Sequence, residues 1–187
     1  MNVAALKAHI EEIVAPLSEA EWKRVQQAFK PIRRQKHQFI VQEGQPVPYD
    51  YWVIRGCLKA YYLEENGKEH ILQFATEGWW ITDFDAYFNQ CPAYIHIDCL
   101  EDCQLLGVTL EDRNLLCQDL HKMEHFWRIK SNFGYVALQK RILSLLQHNA
   151  KERYEELAER YPDWLQRIPK RLLAAYLGVS RETLSRL

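Results

Sequence analysis

Residues 168–187 read IPKRLLAAYLGVSRETLSRL, a stretch with the pattern of two short helices joined by a tight turn. Two helices that cross at a steep angle need a small residue at their contact, a glycine for the left-handed turn, and apolar residues on both sides. Ala174 is the small residue and Gly178 is the turn glycine. A miniature core is supplied by Leu173, Leu177, Val179, Leu184 and Leu187. The stretch therefore predicts a helix-turn-helix.

The ends of these two helices are also marked in the sequence. Pro169 suits the first helical position, where its missing N–H costs nothing, and Ser180 is a good N-cap for the second helix. An ordinary helical hairpin satisfies the same packing pattern, so charge has to decide between the two. From Trp164 onward five basic residues face one acidic residue, a formal charge of +4 in a chain whose net charge is −1. This basic end favours a nucleic-acid partner.

Polar residues at the start of the second helix of such a motif face the floor of the DNA major groove. An arginine there bonds guanine O6 and N7, and a glutamate accepts from cytosine N4, which suits Arg181, Glu182 and Arg186. Ser180 and Thr183 are short donors suited to phosphates. The residues predicted to bind double-stranded DNA are Lys170, Ser180, Arg181, Glu182, Thr183 and Arg186.

Upstream, the stretch from Glu111 to Tyr161 is nearly free of glycine and proline and carries apolar residues at helical spacing. This pattern predicts one long helix, or two in series. Its large side chains include Phe126, Trp127, Phe133 and Tyr135. One small domain does not need so many large side chains for its own packing, so we expect this apolar stripe of the helix to pack against a second copy of the chain in a homodimer. The alternative, that the stripe packs only on its own domain, stays open.

From about His37 to Leu110 the hydrophobic period changes to two, and short β-rich runs alternate with turns. Many short strands at this spacing indicate a sandwich or barrel. The dipeptide Asn66-Gly67 predicts a hairpin with a type I′ turn, which needs positive φ at both central residues.

A short helical segment precedes the strands. Ser18 and Glu21 form an S-x-x-E capping box, and the helix is expected to end at Pro31. Its apolar residues recur at helical spacing: Trp22, Val25 and Phe29.

Composition places the chain in a broad class. With 48% hydrophobic and 26% charged residues it has the balance of a soluble globular protein. No stretch has the pattern of a secretory signal or of a membrane span, so we expect a cytoplasmic protein. Its five cysteines are an odd number without CxxC spacing, which indicates neither a disulfide framework nor a zinc knuckle.

The motif GVSRETLSRL, preceded by a long helix and a β-rich region, resembles the CRP/FNR family of transcription regulators. The resemblance covers nearly the whole chain, but only the last twenty residues match closely. It implies that Arg181, Glu182 and Arg186 read operator bases. It also implies an α+β fold with a cyclic-nucleotide-binding-like jelly roll, a long dimerisation helix and a winged-helix-type end.

Three domains follow from this resemblance. Residues 1–110 are expected to form an effector domain with N-terminal helices, 111–150 the dimerisation helix, and 151–187 the helix-turn-helix. The residues stop at Leu187, inside or just after the second helix, so the β-hairpin wing is missing and we expect a truncated domain. Loss of the wing's phosphate contacts would weaken DNA binding.

The sequence departs from the family in its phosphate cassette. Members that bind cyclic AMP carry G-E-L followed by R-S or R-T, in which the carboxylate holds the ribose and the arginine neutralises the phosphate. Here Thr82-Asp83 and Ala93-Tyr94 occupy those places. A buried phosphate without a cation costs several kcal/mol, so we predict that cyclic AMP is not a tight ligand. Residues predicted to line a pocket for an unknown small-molecule effector are Trp80, Asp83, Phe84, Ala93 and Tyr94.

Metal and cofactor sites are not predicted. No cysteine precedes Cys57, which argues against the iron–sulfur cluster of one branch of the family. His96 and Asp98 alternate as in cupin enzymes, but the paired His-x-His is absent. His121 and His125 are four apart on a predicted helix without a third ligand. We therefore predict no catalysis; the alternative is a jelly-roll binding module or cupin-like metal enzyme with a degenerate DNA-binding tail.

Overall fold

The computed structural model describes residues 3–186, and within them the chain forms eight strands and nine helices. The strands are β1 (Phe29–Arg34), β2 (Phe39–Val41), β3 (Asp50–Arg55), β4 (Leu58–Leu63), β5 (Glu69–Ala75), β6 (Trp80–Ile81), β7 (His96–Cys99) and β8 (Cys103–Val108). The helices are α1 (Ala4–Glu11), α2 (Glu19–Ala28), α3 (Phe84–Asn89), α4 (Leu110–Asp119), α5 (His121–Gln147), α6 (Ala150–Arg160), α7 (Trp164–Arg167), α8 (Lys170–Leu177) and α9 (Arg181–Ser185). The predicted α+β class is confirmed.

The strands form two four-stranded sheets, in the orders β1-β8-β3-β6 and β2-β7-β4-β5. β8 pairs antiparallel with β1 on one side and with β3 on the other, so that Val108 lies opposite both Phe29 and Asp50. The main apolar core contains buried residues of β3, β4, β7, β8 and α3. The predicted β-rich domain is thus a double-sheet roll.

The N-terminal capping box is confirmed, but the helix that it starts is shorter than predicted. Ser18 accepts from the backbone N–H of Glu21, and the Glu21 side chain accepts from the N–H of Ser18. Helix α2 ends at Ala28, and Phe29 opens β1 instead of closing the helix. Pro31 lies inside β1, where it is tolerated because β1 is an edge strand of its sheet.

The hairpin between β4 and β5 is present, but its turn is not type I′. Gly67 has a φ of 84°, whereas Asn66 is not among the residues with positive φ. The N–H of Gly67 donates to the carbonyl of Glu64 at 2.8 Å, and Asn66 Oδ1 accepts from the N–H of Lys68 at 2.8 Å. Asn66 therefore stabilises the turn through its side chain, and glycine alone takes the left-handed conformation.

The predicted helical stretch from Glu111 to Tyr161 is three helices, not one or two. The backbone leaves the helical conformation at Leu120, between α4 and α5, without a glycine or proline to mark the place. The second break is marked in the sequence by a capping box, in which Asn149 accepts from the N–H of Glu152 at 3.1 Å.

Two of the large side chains assigned to the intermolecular stripe are buried in the chain's own core. Phe126 and Trp127 pack with Met123, Trp52 and Leu106 in the second apolar cluster. Phe133 and Tyr135, further along α5, are exposed. The first part of α5 therefore packs on its own unit, as the alternative to a dimer had it, and the homodimer stays a prediction for the exposed part.

Contacts divide the chain into two compact units. The first unit comprises the described residues up to Ala60 together with Phe74–Ser131, and the second comprises Tyr61–Gln73 and the described residues from Asn132 onward. The hairpin loop and the ends of its two strands thus belong with the C-terminal helices. The division 1–110, 111–150 and 151–187 stays a prediction about domains. No described helix is both long and apolar enough to cross a membrane.

Candidate nucleic-acid interface

Helix α8 is bounded by the residues that the sequence singled out. Pro169 has φ −55° and ψ 136°, so it precedes the helix instead of forming its first turn. At the other end Gly178 has a φ of 69°, in the left-handed region that glycine enters without strain. The N–H of Val179 donates to the carbonyl of Ala174 at 3.0 Å and closes the turn. The predicted glycine turn is confirmed.

Helix α9 begins at its predicted cap. The Ser180 hydroxyl accepts from the backbone N–H of Thr183 at 3.1 Å. The small residue Ala174 is buried, and the described residues of the predicted miniature core are buried or half-buried: Leu173, Leu177, Val179 and Leu184. Leu187 lies outside the described residues. The two helices thus pack through the side chains that the pattern indicated.

Aromatic and basic side chains that the sequence did not point to support this pair of helices. Trp164 stacks on Tyr161 with ring centres 4.2 Å apart, and meets Tyr176 of α8 edge-on at 5.7 Å. Arg153 of α6 donates through Nε to the carbonyl of Leu177 at 3.0 Å. Every helix leaves carbonyls without partners at its C-terminus, but only the tertiary structure decides which arginine reaches them.

All six residues predicted to bind DNA are solvent-exposed: Lys170, Ser180, Arg181, Glu182, Thr183 and Arg186. Arg181, Glu182 and Arg186 line one surface depression together with Ser185. A guanidinium fork and a carboxylate therefore stand side by side on the outer face of α9. Those are the groups that distinguish guanine from cytosine in the major groove.

The local hydrogen bonds favour the ionised form of Glu182. Its own backbone N–H and the Ser180 hydroxyl lower the pKa of the Glu182 carboxyl, and the nearby Arg181 adds to the effect. An ionised carboxylate is purely an acceptor, as a contact to a cytosine amino group requires.

Ser180 and Thr183 are exposed, and their side chains hydrogen-bond to each other. Their hydroxyl oxygens are 3.1 Å apart, and either one is able to donate. One hydroxyl proton is used within the pair, so the pair offers at most one donor to a phosphate oxygen, and only while the Ser180 hydroxyl is released from the Glu182 carboxylate. The main structural role of Ser180 is to cap α9.

In the β-roll, the residues predicted to line an effector pocket are only partly brought together: Asp83 bonds the backbone of Tyr94, beside Ala93, but the side chains have different surroundings. Trp80 packs against Phe126 in the second core cluster, whereas Ala93 lies in the first. Phe84 is exposed and stacks on Phe88, and Tyr94 is exposed as well.

Asp83 has a structural role at the place of the cassette carboxylate. It is 5% exposed and accepts three backbone N–H groups, from Ala86 at 3.2 Å, Tyr94 at 2.9 Å and Ile95 at 3.3 Å. It therefore caps α3 and, at the same time, fixes the segment that leads into β7.

Comparisons with known proteins agree with both parts of this arrangement. A family model described as the cyclic nucleotide-binding domain matches residues 31–119. The anaerobic regulatory protein of Pasteurella multocida is 29% identical, over 84% of this chain and 60% of the relative. The regulatory protein HlyX of Actinobacillus pleuropneumoniae is also 29% identical, over 84% of this chain and 69% of the relative. The chain is therefore similar to regulators of the CRP/FNR type.

Solved structures of two regulators have the same fold. The c-di-GMP responsive regulator CLP of Xanthomonas campestris matches with a TM-score of 0.68 at 16% identity, over 90% of this chain and 89% of CLP. FixK2 of Bradyrhizobium japonicum matches with a TM-score of 0.68 at 20% identity, over 84% and 81%. At such identities the likeness shows the fold alone. The chain spans 60% of the length of the Pasteurella relative, so the activity of a whole CRP/FNR protein is a matter for proposal.

The candidate metal ligands of this chain are engaged with other charged groups. His96 Nε2 lies 3.5 Å from Glu43, and Asp98 lies 3.7 Å from the amino group of Lys59. His125 Nδ1 is 2.9 Å from the guanidinium of Arg128. Over the described part of the chain, no three histidine, cysteine, aspartate or glutamate side chains are grouped to hold a metal. The cupin-like alternative gains no support from this geometry.

Proposed function

We propose that this chain is a cytoplasmic, homodimeric transcription regulator that binds double-stranded DNA through α8 and α9 and carries out no catalysis. The observation that carries the proposal is the side-by-side exposure of Arg181, Glu182 and Arg186 on the second helix of a crossed pair. Together with the formal charge of +4 from Trp164 onward, this exposure favours a nucleic-acid partner over an ordinary helical hairpin.

The proposed division of contacts follows from residue chemistry. Arg181 and Arg186 would donate to guanine edges, and Glu182 would accept from cytosine N4. Lys170 and the Ser180–Thr183 pair would bond phosphate oxygens, which fixes the register of the helix without reading sequence. In a two-fold dimer, two such helices would read half-sites about 34 Å apart.

The exposed part of α5 supports a dimer. Tyr135, Leu138, Ile142 and Leu145 are 71%, 57%, 49% and 43% exposed, and they follow one another at intervals of three, four and three residues. Alternating three- and four-residue spacing is the pattern of an apolar seam between two helices. A second copy of the same chain would bring an identical seam to it.

The residues at the place of the phosphate cassette favour an effector other than cyclic AMP, if the protein has an effector. Ala93 stands where the phosphate-binding arginine of cyclic-AMP binders is expected. The backbone N–H groups of Tyr94 and Ile95 already donate to Asp83, so this segment offers a phosphate neither a cation nor two unused amides.

Selection from random double-stranded DNA tests the proposed function. Purified protein is expected to enrich a sequence with two-fold symmetry whose half-sites lie one helical turn apart. Enrichment of no common sequence, with binding that depends on salt alone, would contradict the proposal.

A further inference from the structure

Two arginines of the second unit connect helix α8 to the start of strand β5. Near the beginning of α8, Arg171 Nη1 lies 3.3 Å from the carboxylate of Glu69. Near its end, Arg141 of α5 donates through Nη2 to two carbonyl oxygens, that of Ile71 in β5 and that of Tyr176 in α8, each at 3.0 Å. The first helix of the DNA-binding pair is therefore held to the hairpin close to both ends.

The Arg141 contact is the more consequential of the two. Its guanidinium carbon lies 3.5 Å from the centre of the Tyr176 ring, so the same planar group stacks and donates. Arg141 is half-buried, and this burial lowers the pKa of its guanidinium group. The Arg171 side chain is mostly exposed, and ion pairs of that kind contribute little.

Arg141 also completes the hydrogen bonding at the end of α8. The last four carbonyls of a helix have no partner within it. Backbone N–H groups of the turn bond to the carbonyls of Ala174 and Ala175, and Arg153 of α6 bonds to that of Leu177. The remaining carbonyl, that of Tyr176, is bonded by Arg141. Arg141 and Arg153 thus have the same role at α8, but only Arg141 is bonded to β5 as well.

We propose that Arg141 is a positioning residue that makes the β4–β5 hairpin and α8 move together, so that the hairpin sets the orientation of the DNA-reading helix α9. The proposal rests on the proposed function. The link from α8 to α9 is short, because only residues 178–180 separate them and Leu184 is buried. A displacement of α8 is therefore passed to Arg181 and Glu182. A ligand or neighbouring element that shifts the hairpin would change DNA affinity through Arg141.

Arg153 provides a matched control for testing this contact. Hydrogen exchange, followed by mass spectrometry, is measured on wild type, Arg141→Met and Arg153→Met. We expect Arg141→Met to increase exchange about tenfold both at the end of α8 and in residues 69–73, and Arg153→Met to increase it only at α8. Arg141→Lys should resemble Arg141→Met, because an ammonium group does not stack while bridging two carbonyls. Equal effects of the Arg141→Met and Arg153→Met substitutions on residues 69–73 would overturn the proposal.

A DNA-binding comparison tests whether the contact transmits a change. Gly67→Ala perturbs the hairpin turn only through its backbone, because φ is 84° and no other atom lies within 4 Å of the added methyl group. We expect it to change affinity for the selected DNA about threefold to tenfold in the wild-type background and by less than about twofold in Arg141→Met. Equal changes in both backgrounds would refute the coupling. Absence of specific DNA binding in wild type would refute the proposed function, and the exchange comparison would still decide the hairpin contact.

Discussion

Lys170 and Arg181 are both exposed cations of the helix pair, yet the proposal gives them different partners. Lys170 is the first residue of α8, where a side chain reaches phosphates, whereas Arg181 opens the helix that faces the bases. Phosphate and base contacts leave different signatures, because only the first kind is independent of sequence. The two residues therefore separate affinity from sequence preference.

For Lys170→Ala we expect weaker binding to selected and to scrambled DNA by the same factor. The slope of the logarithm of the binding constant against the logarithm of salt concentration should fall by about 0.9, since one fewer phosphate is neutralised. Fluorescence anisotropy at several salt concentrations measures both quantities. Lys140→Ala, which removes a lysine from the exposed part of α5, is the control for the loss of a positive charge. A larger loss on selected than on scrambled DNA would show that Lys170 reads bases.

Asp50 is a buried carboxyl whose ionisation opposes folding. Burial raises the pKa of Asp50 to about 7 from an ordinary value of 3.8, although Arg113 at 3.4 Å and the backbone N–H of Tyr51 act in the opposite direction. Its Oδ1 atom has no hydrogen-bond partner among the described residues. A carboxyl with a higher pKa in the folded state binds its proton more tightly there. Its contribution to stability is complete below pH 3.8 and is lost as the pH rises through about 7.

Asp50→Asn should remove this pH dependence, because the amide does not ionise. Urea unfolding of both proteins is measured between pH 5 and pH 8. We expect the free energy of unfolding of wild type, taken relative to the variant, to fall as the pH rises across that interval. Parallel profiles of the two proteins would mean that Asp50 does not titrate there.

Among the helices and strands, those with marked ends were predicted best. The capping box at Ser18, the turn at Gly178 and the cap at Ser180 are local signals, and each forms where the sequence placed it. The break at Leu120 has no local signal in the sequence. It depends on tertiary packing, because the change of direction lets Met123 and the residues after it pack into the core. Asn149 and Glu152 form a capping-box pattern in the sequence, but apolar residues continue at helical spacing on both sides of it, so the pattern does not by itself indicate a break.

The exposed seam of α5 gives a direct test of dimer formation. Leu138→Glu should convert a dimer into a monomer, because it places a charge in the middle of the proposed apolar contact. Lys140→Glu is the matched control, since residue 140 lies about 200° around the helix from Leu138. Light scattering coupled to size-exclusion chromatography measures the mass of each. Monomeric wild type, or equal behaviour of the two variants, would contradict a dimer through this seam.

The chain combines a β-roll of the cyclic nucleotide-binding type with a helix pair. The sequence predicts the helix pair in more detail than the contacts within the β-roll. The helix pair depends on residues close together in sequence, so its pattern is readable. The cassette depends on contacts between distant residues, such as Asp83 with Tyr94 and Ile95, and no spacing rule predicts them. For the same reason Arg141 did not stand out before its two carbonyl partners were known.

Cyclic AMP provides a test of the β-roll. Isothermal titration of the purified protein is expected to show no binding in the micromolar range, because Ala93 supplies no charge to offset the phosphate. The substitution Ala93→Arg tests whether a missing positive charge is the only reason that the cassette does not bind cyclic AMP. We expect no rescue, since Asp83 already occupies the amides of Tyr94 and Ile95. Micromolar or tighter binding by wild type would show that the cassette accepts the ligand in another way.

The claim on which the account depends is that Arg181 reads a base. It is tested most directly by the ratio of affinities for the selected DNA and for a scrambled version, measured for wild type and for Arg181→Ala at one salt concentration. We predict that the substitution reduces the ratio by a factor of about 5 to 150, equivalent to about 1–3 kcal/mol, while weak, salt-sensitive binding to both DNAs remains. An unchanged ratio would contradict the account, because it would mean that the exposed guanidinium of α9 does not face the base edges.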